Sequence, residues 1–329
     1  MRSDGRRRVL QGGLALAGIS LLTGCGSSTI WFEAATTVRR VGWLQLAEAP
    51  QTYFEAFRDE LRTLGYVEDQ GVVVEARSTD AVDRLPTVVE GMVRLRPEVI
   101  VSVSTPATQA AKDATGDIPI VFTLVADPVR AGFVRTLGQP GGNLTGLTNL
   151  SATLGPKRLE LLHGTIPGLA RVAVLWNATN PSFMEQVRGI EAAASSYGMV
   201  VQVLPVSEVV ELEGAIDAAV ASGAEAFVDV TAPYSRRTAQ LLAARRLPTM
   251  FQTSEQVRTG GLVSYGPSLP ASFRRAAYYV DKIFRGAKPS ELPVEQPTTF
   301  DFVINLKAAQ ALGLSIPQSV LQQATEVIQ

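Results

Sequence analysis

Ser104-Thr105-Pro106-Ala107-Thr108 follows an apolar run at residues 99–103 and opens a helical pattern. Thr105 suits the N-cap and Pro106 the first helical position, where its missing N–H costs nothing. That placement leaves the amides of Ala107 and Thr108 free at the positive end of a helix dipole, a setting that receives a carboxylate or phosphate. Ser104 and Thr105 would add hydroxyls. The plain structural alternative is a capped helix that holds nothing. Asp127, before Pro128, and Asp229, among Phe227, Val228 and Val230, stand at or just after the ends of apolar runs. Each suits a ligand ammonium group. A turn accounts equally for Asp127, whereas a charge at Asp229 needs some partner. Asn177, after Trp176, offers an amide to a ligand carboxylate or to the helix that follows Pro181. Phe183 and Tyr265 offer rings for stacking, or plain core.

These groups suit binding rather than turnover. The chain has one Cys and one His, too few for a zinc site or a Cys–His nucleophile pair. No Ser lies in a nucleophile-elbow pattern, and no second His completes a triad. Residues 138–143 (Gly-Gln-Pro-Gly-Gly-Asn) read as a turn and lack the Gly and Lys spacing of a phosphate loop. His163 sits beside Leu161 and Leu162 on a helical face and reads as structural. The sequence therefore predicts no enzyme, no cofactor and no metal. A formal charge of −1 with 19% charged residues gives no electrostatic reason to expect nucleic acid.

The elements that must position these groups form an α/β pattern. Residues 41–46, 72–76, 99–103 and 118–124 are short Val-, Ile- and Leu-rich runs, as buried parallel strands should be. Helical patterns at 53–64, 85–95 and 106–114 lie between them. The same order returns later. Arg40-Val41-Gly42-Trp43-Leu44 is echoed by Arg171-Val172-Ala173-Val174-Leu175, and Gly65-Tyr66-Val67 by Gly198-Met199-Val200. Residues 99–106 are echoed by 226–233, and Ile118-Pro119-Ile120-Val121-Phe122 by Leu247-Pro248-Thr249-Met250-Phe251. Four echoes in one order predict two similar lobes, each a parallel sheet flanked by helices. Such sheets bind ligands at the carboxyl ends of their strands, so two facing edges make a cleft that closes by hinge motion. The hinge is expected near residues 147–150. The chain after Tyr265 is expected to cross to the first lobe over 270–284 and return near 300–304.

The first 24 residues read as an export signal rather than fold. Arg6, Arg7 and Arg8 give a positive start, and residues 9–22 are mostly apolar but short for a membrane span. Leu22-Thr23-Gly24-Cys25 resembles the bacterial lipobox, which makes Cys25 the expected lipidation site. Gly5-Arg6-Arg7-Arg8-Val9-Leu10 also resembles a twin-arginine signal. Residues 25–37 read as a tether, and the remainder, shorn of four Arg and one Asp, is mildly acidic.

From about Val38 to its end the chain resembles the ABC transporter substrate-binding proteins whose best-known members bind tryptophan, tyrosine or phenylalanine. The resemblance rests on Leu64-Gly65-Tyr66-Val67-Glu68, Ser104-Thr105-Pro106-Ala107, Asp127-Pro128-Val129, residues 139–146, Lys157-Arg158-Leu159-Glu160-Leu161-Leu162 and Val172-Ala173-Val174-Leu175-Trp176-Asn177. It continues through Gly261-Leu262-Val263-Ser264-Tyr265-Gly266, Leu292-Pro293-Val294-Glu295-Gln296-Pro297 and Ile304-Asn305-Leu306-Lys307. It implies a two-lobed periplasmic-binding-protein fold of type I, with three crossovers: residues 38–147 plus 268–296 in one lobe, 148–267 plus 297–329 in the other. It also implies a periplasmic lipoprotein that closes on an amino acid or similar solute and hands it to an ABC permease and ATPase. A ligand-sensing module for a membrane receptor is the alternative use of the same fold. By position, the pocket falls on Gln45, Ser104, Thr105, Asp127, Asn177, Asp229 and Tyr265. One departure stands out: Ala47-Glu48-Ala49-Pro50 places an acid where a His before the Pro is common in the family.

Overall fold

Buried strands of one sheet line up because their side chains must leave water on both faces, and this chain builds two such sheets. The computed structural model describes residues 38–46, 51–150, 153–180, 183–232 and 234–329. The expected signal segment, Cys25, the tether and Glu48 lie outside them. The first sheet has the order β2-β1-β3-β4-β5, with β1 at Arg39–Leu46, β2 at Val72–Thr79, β3 at Val99–Val103, β4 at Ile120–Val125 and β5 at Leu144–Thr148. All its pairings are parallel. The periodicity of two sorts its side chains. Val41, Trp43, Val99, Val101 and Val121 pack on one face with Phe57 and Leu61 of α1 (Gln51–Thr63) and Phe273 of α9 (Leu269–Phe284). Leu44, Ile100, Ile120 and Phe122 pack on the other, with Leu85, Val89 and Met92 of α2 (Leu85–Arg94) and Ala107 and Ala111 of α3 (Thr105–Ala114).

The second sheet repeats the plan and extends it, in the order β12-β11-β10-β9-β8-β6-β7. Its core strands β6 (Arg171–Asn177), β7 (Val200–Val206), β8 (Ala226–Val230), β9 (Thr249–Phe251) and β10 (Val263–Pro267) are parallel. Only β11 (Phe300–Asn305) runs antiparallel, against β10, and β12 (Glu326–Ile328) joins it in parallel. Val172, Val174, Val228 and Val230 face α4 (Gly155–Thr165) and α5 (Phe183–Ala194); Ala173, Leu175 and Phe227 face α6 (Leu212–Ala221) and α7 (Ser235–Ala244). The duplication legible in the sequence is therefore a duplication of sheets, and the fold is the type I arrangement of two helix-flanked lobes.

The chain passes between the sheets three times. After β5 it leaves the first sheet for the second. After β10 it returns, and α9 packs its buried face on α1 in the first lobe's core. Near Glu295 it leaves again: the Glu295 amide donates to Gly146 O and its carbonyl accepts from the Thr148 amide, after which β11 joins the second sheet. A bidentate pair from Arg275 Nε and Nη2, at 2.7 and 2.6 Å, fixes the Glu295 carboxylate. Gly146 is obligatory at this junction. Its φ is +147°, and a Cβ there would lie 2.1 Å from Phe122 O, inside the space of β4 where the register shifts. Among the described residues no helix is long and apolar enough to cross a membrane.

Candidate functional site

The carboxyl ends of both sheets border a cleft of about 1160 Å³. Each lobe delivers the same local device there. In the first, β3 ends and Ser104 turns the chain into α3; in the second, β8 ends and Ala232, Tyr234 and Ser235 begin α7. Ser104, Thr105, Ala232, Tyr234 and Ser235 all line the cleft. The helix α3 begins one residue earlier than the sequence pattern suggests. Ser104, not Thr105, is the N-cap, because its carbonyl accepts from the Thr108 amide at 3.0 Å. The Thr108 amide is thus engaged, and the first-turn amides of Thr105 and Ala107 are those without an intrahelical acceptor. Ser104 adopts φ +94°, a region costly for a residue with a Cβ and typical of functional turns. Its hydroxyl is buried and has no partner among the described residues.

Arg158 is the most informative side chain of the site, and the sequence reading did not select it. It lies in the first turn of α4, is 1% exposed and lines the cleft. Its Nε donates to Tyr265 O at 2.7 Å, and Nη1 is buried with no partner among the described residues. It forms no ion pair among the described residues. A cation at the positive end of its own helix gains nothing from the dipole. Burial pushes the guanidinium's pKa down, while Asp229 and Tyr265 oppose the shift; the group remains a cation at neutral pH. Gln252 sits beside it. The backbone of β10 at Gly266 passes so close that a Cβ there would lie 2.0 Å from Gln252 O and 3.4 Å from Arg158 Nη2. Gln252 also lines the cleft, and its Nε2 is a further buried donor with no partner among the described residues.

Asp229 lies beneath this layer, fully buried and outside the cleft lining. It shares the face of β8 that meets α7. Oδ1 accepts from the amide and hydroxyl of Thr231, and the Thr231 hydroxyl also contacts that of Thr238 at 2.7 Å. Burial raises the carboxyl pKa; Thr231, Ser235 and the charge of Arg158 act against that rise. The carboxyl group thus organises the turn into α7 through Thr231. Toward solvent the lining is mainly acidic: Asp80 and Asp83 from the first lobe and Glu208 and Glu255 from the second, with Arg236 as a cation among them. Tyr53 of α1 stacks on Phe273 with ring centroids 5.3 Å apart, and its hydroxyl interacts with Thr253 across the cleft. Burial, then Glu255, raises its pKa well above the usual phenol range.

The other sequence-selected residues fall into three settings. Asn177 and Phe183 line the cleft with Ser104 and Thr105. The Asn177 amide is already used inside the lobe: Nδ2 donates to Ala232 O at 2.9 Å, and Oδ1 accepts from the Thr179 amide and hydroxyl. Ala107 and Thr108 are fully buried behind the turn, with the Thr108 hydroxyl bonded to Ser102 and to Ser104 O. Gln45, Asp127 and Tyr265 are outside the lining. Gln45 accepts from the Trp43 indole, Asp127 accepts from the Arg130 amide, and the Tyr265 ring stacks on Phe300 while its carbonyl holds Arg158. His163 packs its ring against Tyr197 with centroids 5.1 Å apart. One signal for Arg158 was present. Leu154, Leu161 and Leu162 stand four before, three after and four after it, which puts a charge within an apolar helical stripe. Gln252 and Tyr53 carry no such mark. Among the described residues no group of His, Cys, Asp and Glu has the makings of a metal site.

Three comparisons bear on this arrangement. The family model described as ABC transporter substrate binding protein matches residues 45–328. A tyrosine-binding protein of Clostridioides difficile (strain R20291) is 25% identical over 312 residues, covering 90% of this chain and 89% of that protein. Among solved structures, an ABC domain from Streptococcus pneumonia in complex with L-Trp superposes with a TM-score of 0.81 at 26% identity, covering 89% of this chain and 100% of that one. A conserved domain protein of Vibrio cholerae gives the same TM-score and identity over 88% of this chain and 99% of its own.

Proposed function

The chain belongs to the ABC transporter substrate-binding protein family, and from that premise we propose that it captures an amino-acid-like solute in the interlobe cleft and delivers it to a membrane permease driven by an ATPase. The observation that carries the choice of solute is the polarity of the cleft. Buried donors with open valences line it deep inside (Ser104, Arg158 and Gln252), and nearer solvent four carboxylates (Asp80, Asp83, Glu208 and Glu255) outnumber the one cation, Arg236. A zwitterion matches both ends. Tyr53, Phe183 and Tyr234 add aromatic surface, in keeping with relatives that bind tyrosine and L-Trp. Of the residues selected from sequence, Ser104, Thr105 and Asn177 are the proposed contacts. The cleft exceeds the roughly 300–1,000 Å³ of ordinary small-molecule sites, so it accommodates an aromatic amino acid together with water.

In this reading the lobes comprise residues 38–147 plus 268–296 and residues 148–267 plus 297–329, and they hinge at the three crossings. Family members of this kind act outside the cytoplasm, and acylation of Cys25 would hold this one at the membrane, within the periplasm or cell envelope. Cys25→Ser is expected to move the protein from the membrane fraction to the soluble fraction; retention in the membrane would refute the anchor. The solute is tested by thermal unfolding of the full-length protein with each of the common L-amino acids. A ligand that binds only the folded state adds about 2.7 kcal/mol at a hundredfold excess over its Kd. A rise for one chemical group identifies the class, and no rise across the panel refutes the amino-acid reading.

A further inference from the structure

We propose that Arg158 is the anchor for a carboxylate group of the solute, with Gln252 beside it and Ser104 completing the site from the opposite lobe. The inference rests on the amino-acid reading above and assigns the end of the ligand that lies deepest. Four observations converge on it. Arg158 is 1% exposed yet reaches the cleft lining, so its charge is held out of water at the ligand surface. Nη1 has no partner among the described residues, whereas Nε is fixed by Tyr265 O at 2.7 Å. The guanidinium is thus oriented by one edge and open at the other. The remaining unpartnered buried atoms of the lining, Ser104 Oγ and Gln252 Nε2, are also hydrogen-bond donors. Two of the three, Arg158 Nη1 and Gln252 Nε2, can only donate, and the Ser104 hydroxyl can donate as well, a set that a carboxylate satisfies and an ammonium does not.

The backbone supports the same sign. Ser104 caps α3 and lines the cleft with Thr105 and Pro106, so the positive end of that helix borders the anion. Asp229 neutralises Arg158 only in part. The two form no direct ion pair, Asp229 Oδ1 is bound to Thr231, and Asp229 Oδ2 is buried and accepts from no described residue. Asp229 accordingly leaves the open edge of the guanidinium to the ligand.

The test is calorimetric titration of the full-length protein with L-tryptophan, L-tyrosine and L-phenylalanine, each beside its decarboxylated amine: tryptamine, tyramine and phenethylamine. For whichever acid binds, the matched amine should bind at least about a hundredfold more weakly, the scale for leaving a site's buried polar groups unpaired. Arg158→Met should lose affinity for the acid and shrink that discrimination to within about threefold. Arg158→Lys keeps the charge without the planar fork. It should bind the acid about tenfold more weakly and still prefer it. Equal binding of acid and amine by the unsubstituted protein overturns the anchor while leaving amino-acid capture intact, and needs no variant to fold. Discrimination that survives in Arg158→Met also overturns it. Binding of none of the three acids refutes the aromatic amino-acid reading and the anchor with it.

Discussion

Gly266→Ala joins the packing of the second lobe to the ligand site in one substitution. In β10 the Gly266 Cα faces the chain just after β9, and an added Cβ would lie 2.0 Å from Gln252 O and 3.2 Å from Gln252 C. The obstacle is backbone, so no rotamer change relieves it, and the strands must separate by about 1 Å. Overpacking of this kind costs about 1–3 kcal/mol. The upper end applies here, because Val263, Ser264, Met250 and Phe251 are all nearly inaccessible and cannot yield toward solvent. The same displacement moves the two donors of the proposed anion site. Arg158 is held by Tyr265 O, the residue next to Gly266, and Gln252 is the residue pushed. Loss of one hydrogen bond to a charged group is worth about 1.5–3 kcal/mol, which is roughly tenfold to 150-fold in Kd. Urea unfolding measures the first effect and calorimetric titration with the bound amino acid measures the second. A variant within about 1 kcal/mol of the parent and unchanged in Kd would show that the tight approach at Gly266 does not exist and that the donors are not fixed by it.

Gly214→Ala tests the opposite case. That position lies in α6 with nothing within 4 Å of an added Cβ, so helix propensity should stabilise the protein by about 0.5–1 kcal/mol in the same urea assay. Glu295→Gln removes the carboxylate charge held by Arg275. The side chains are 41% and 37% exposed, so the loss should be no more than about 1 kcal/mol. Arg275 holds the Glu295 carboxyl below the usual range, so the stability it contributes is present above about pH 4.3, the unfolded value. It fades as pH falls through the folded value, and a plot of stability against pH should show a shallower acid limb in the variant. Asn177→Ala should cost about 1–2 kcal/mol of stability by cutting the ties to Ala232 O and Thr179. Asn177→Asp keeps the Thr179 bonds but sets a carboxylate oxygen against Ala232 O at a position only 2% exposed, so it should cost more than the alanine in the same measurement.

The repeated strand–helix order was visible because buried parallel strands must be apolar on both faces, and residues 99–103 and 226–230 meet that demand almost without interruption. The turn into α3 was visible because Pro106 can open a helix but not continue one. The exact cap was not: it depends on whether Ser104 accepts the Thr108 amide, and that required a positive φ the sequence gives no reason to assign to a serine. Asp229 was visible as a charge among apolar neighbours, but its depth was not, since strand alternation alone does not tell the α7 face from the cleft. Arg158 was missed for a related reason. Next to Lys157, which does face solvent, Arg158 reads as part of the same solvated rim until the leucines on both sides of it are counted. Gln252 and Tyr53 owe their places to the packing of distant segments, β9 against β10 and α1 against α9, which no local pattern records.

The location of the unpartnered donors also explains why closure would follow the ligand rather than precede it. A buried donor without an acceptor costs about 1–3 kcal/mol, so a protein that closed by itself would bear that cost at Ser104, Arg158 and Gln252 together. Separating the lobes lets water reach these groups and relieves it. The direct links across the cleft are modest. Arg130 and Glu185 approach to 3.6 Å, but their side chains are 61% and 51% exposed, a setting worth about 0–1 kcal/mol. A ligand can shift the open–closed balance only by its difference in affinity for the two forms. Here that difference has a structural source. Ser104 belongs to the first lobe, and Arg158 and Gln252 to the second, so the proposed carboxylate would meet all three only with the lobes together. Each donor that the anion satisfies adds to the preference for the closed form, whereas an amine or an uncharged solute would leave the donors unpaired and the lobes free to part.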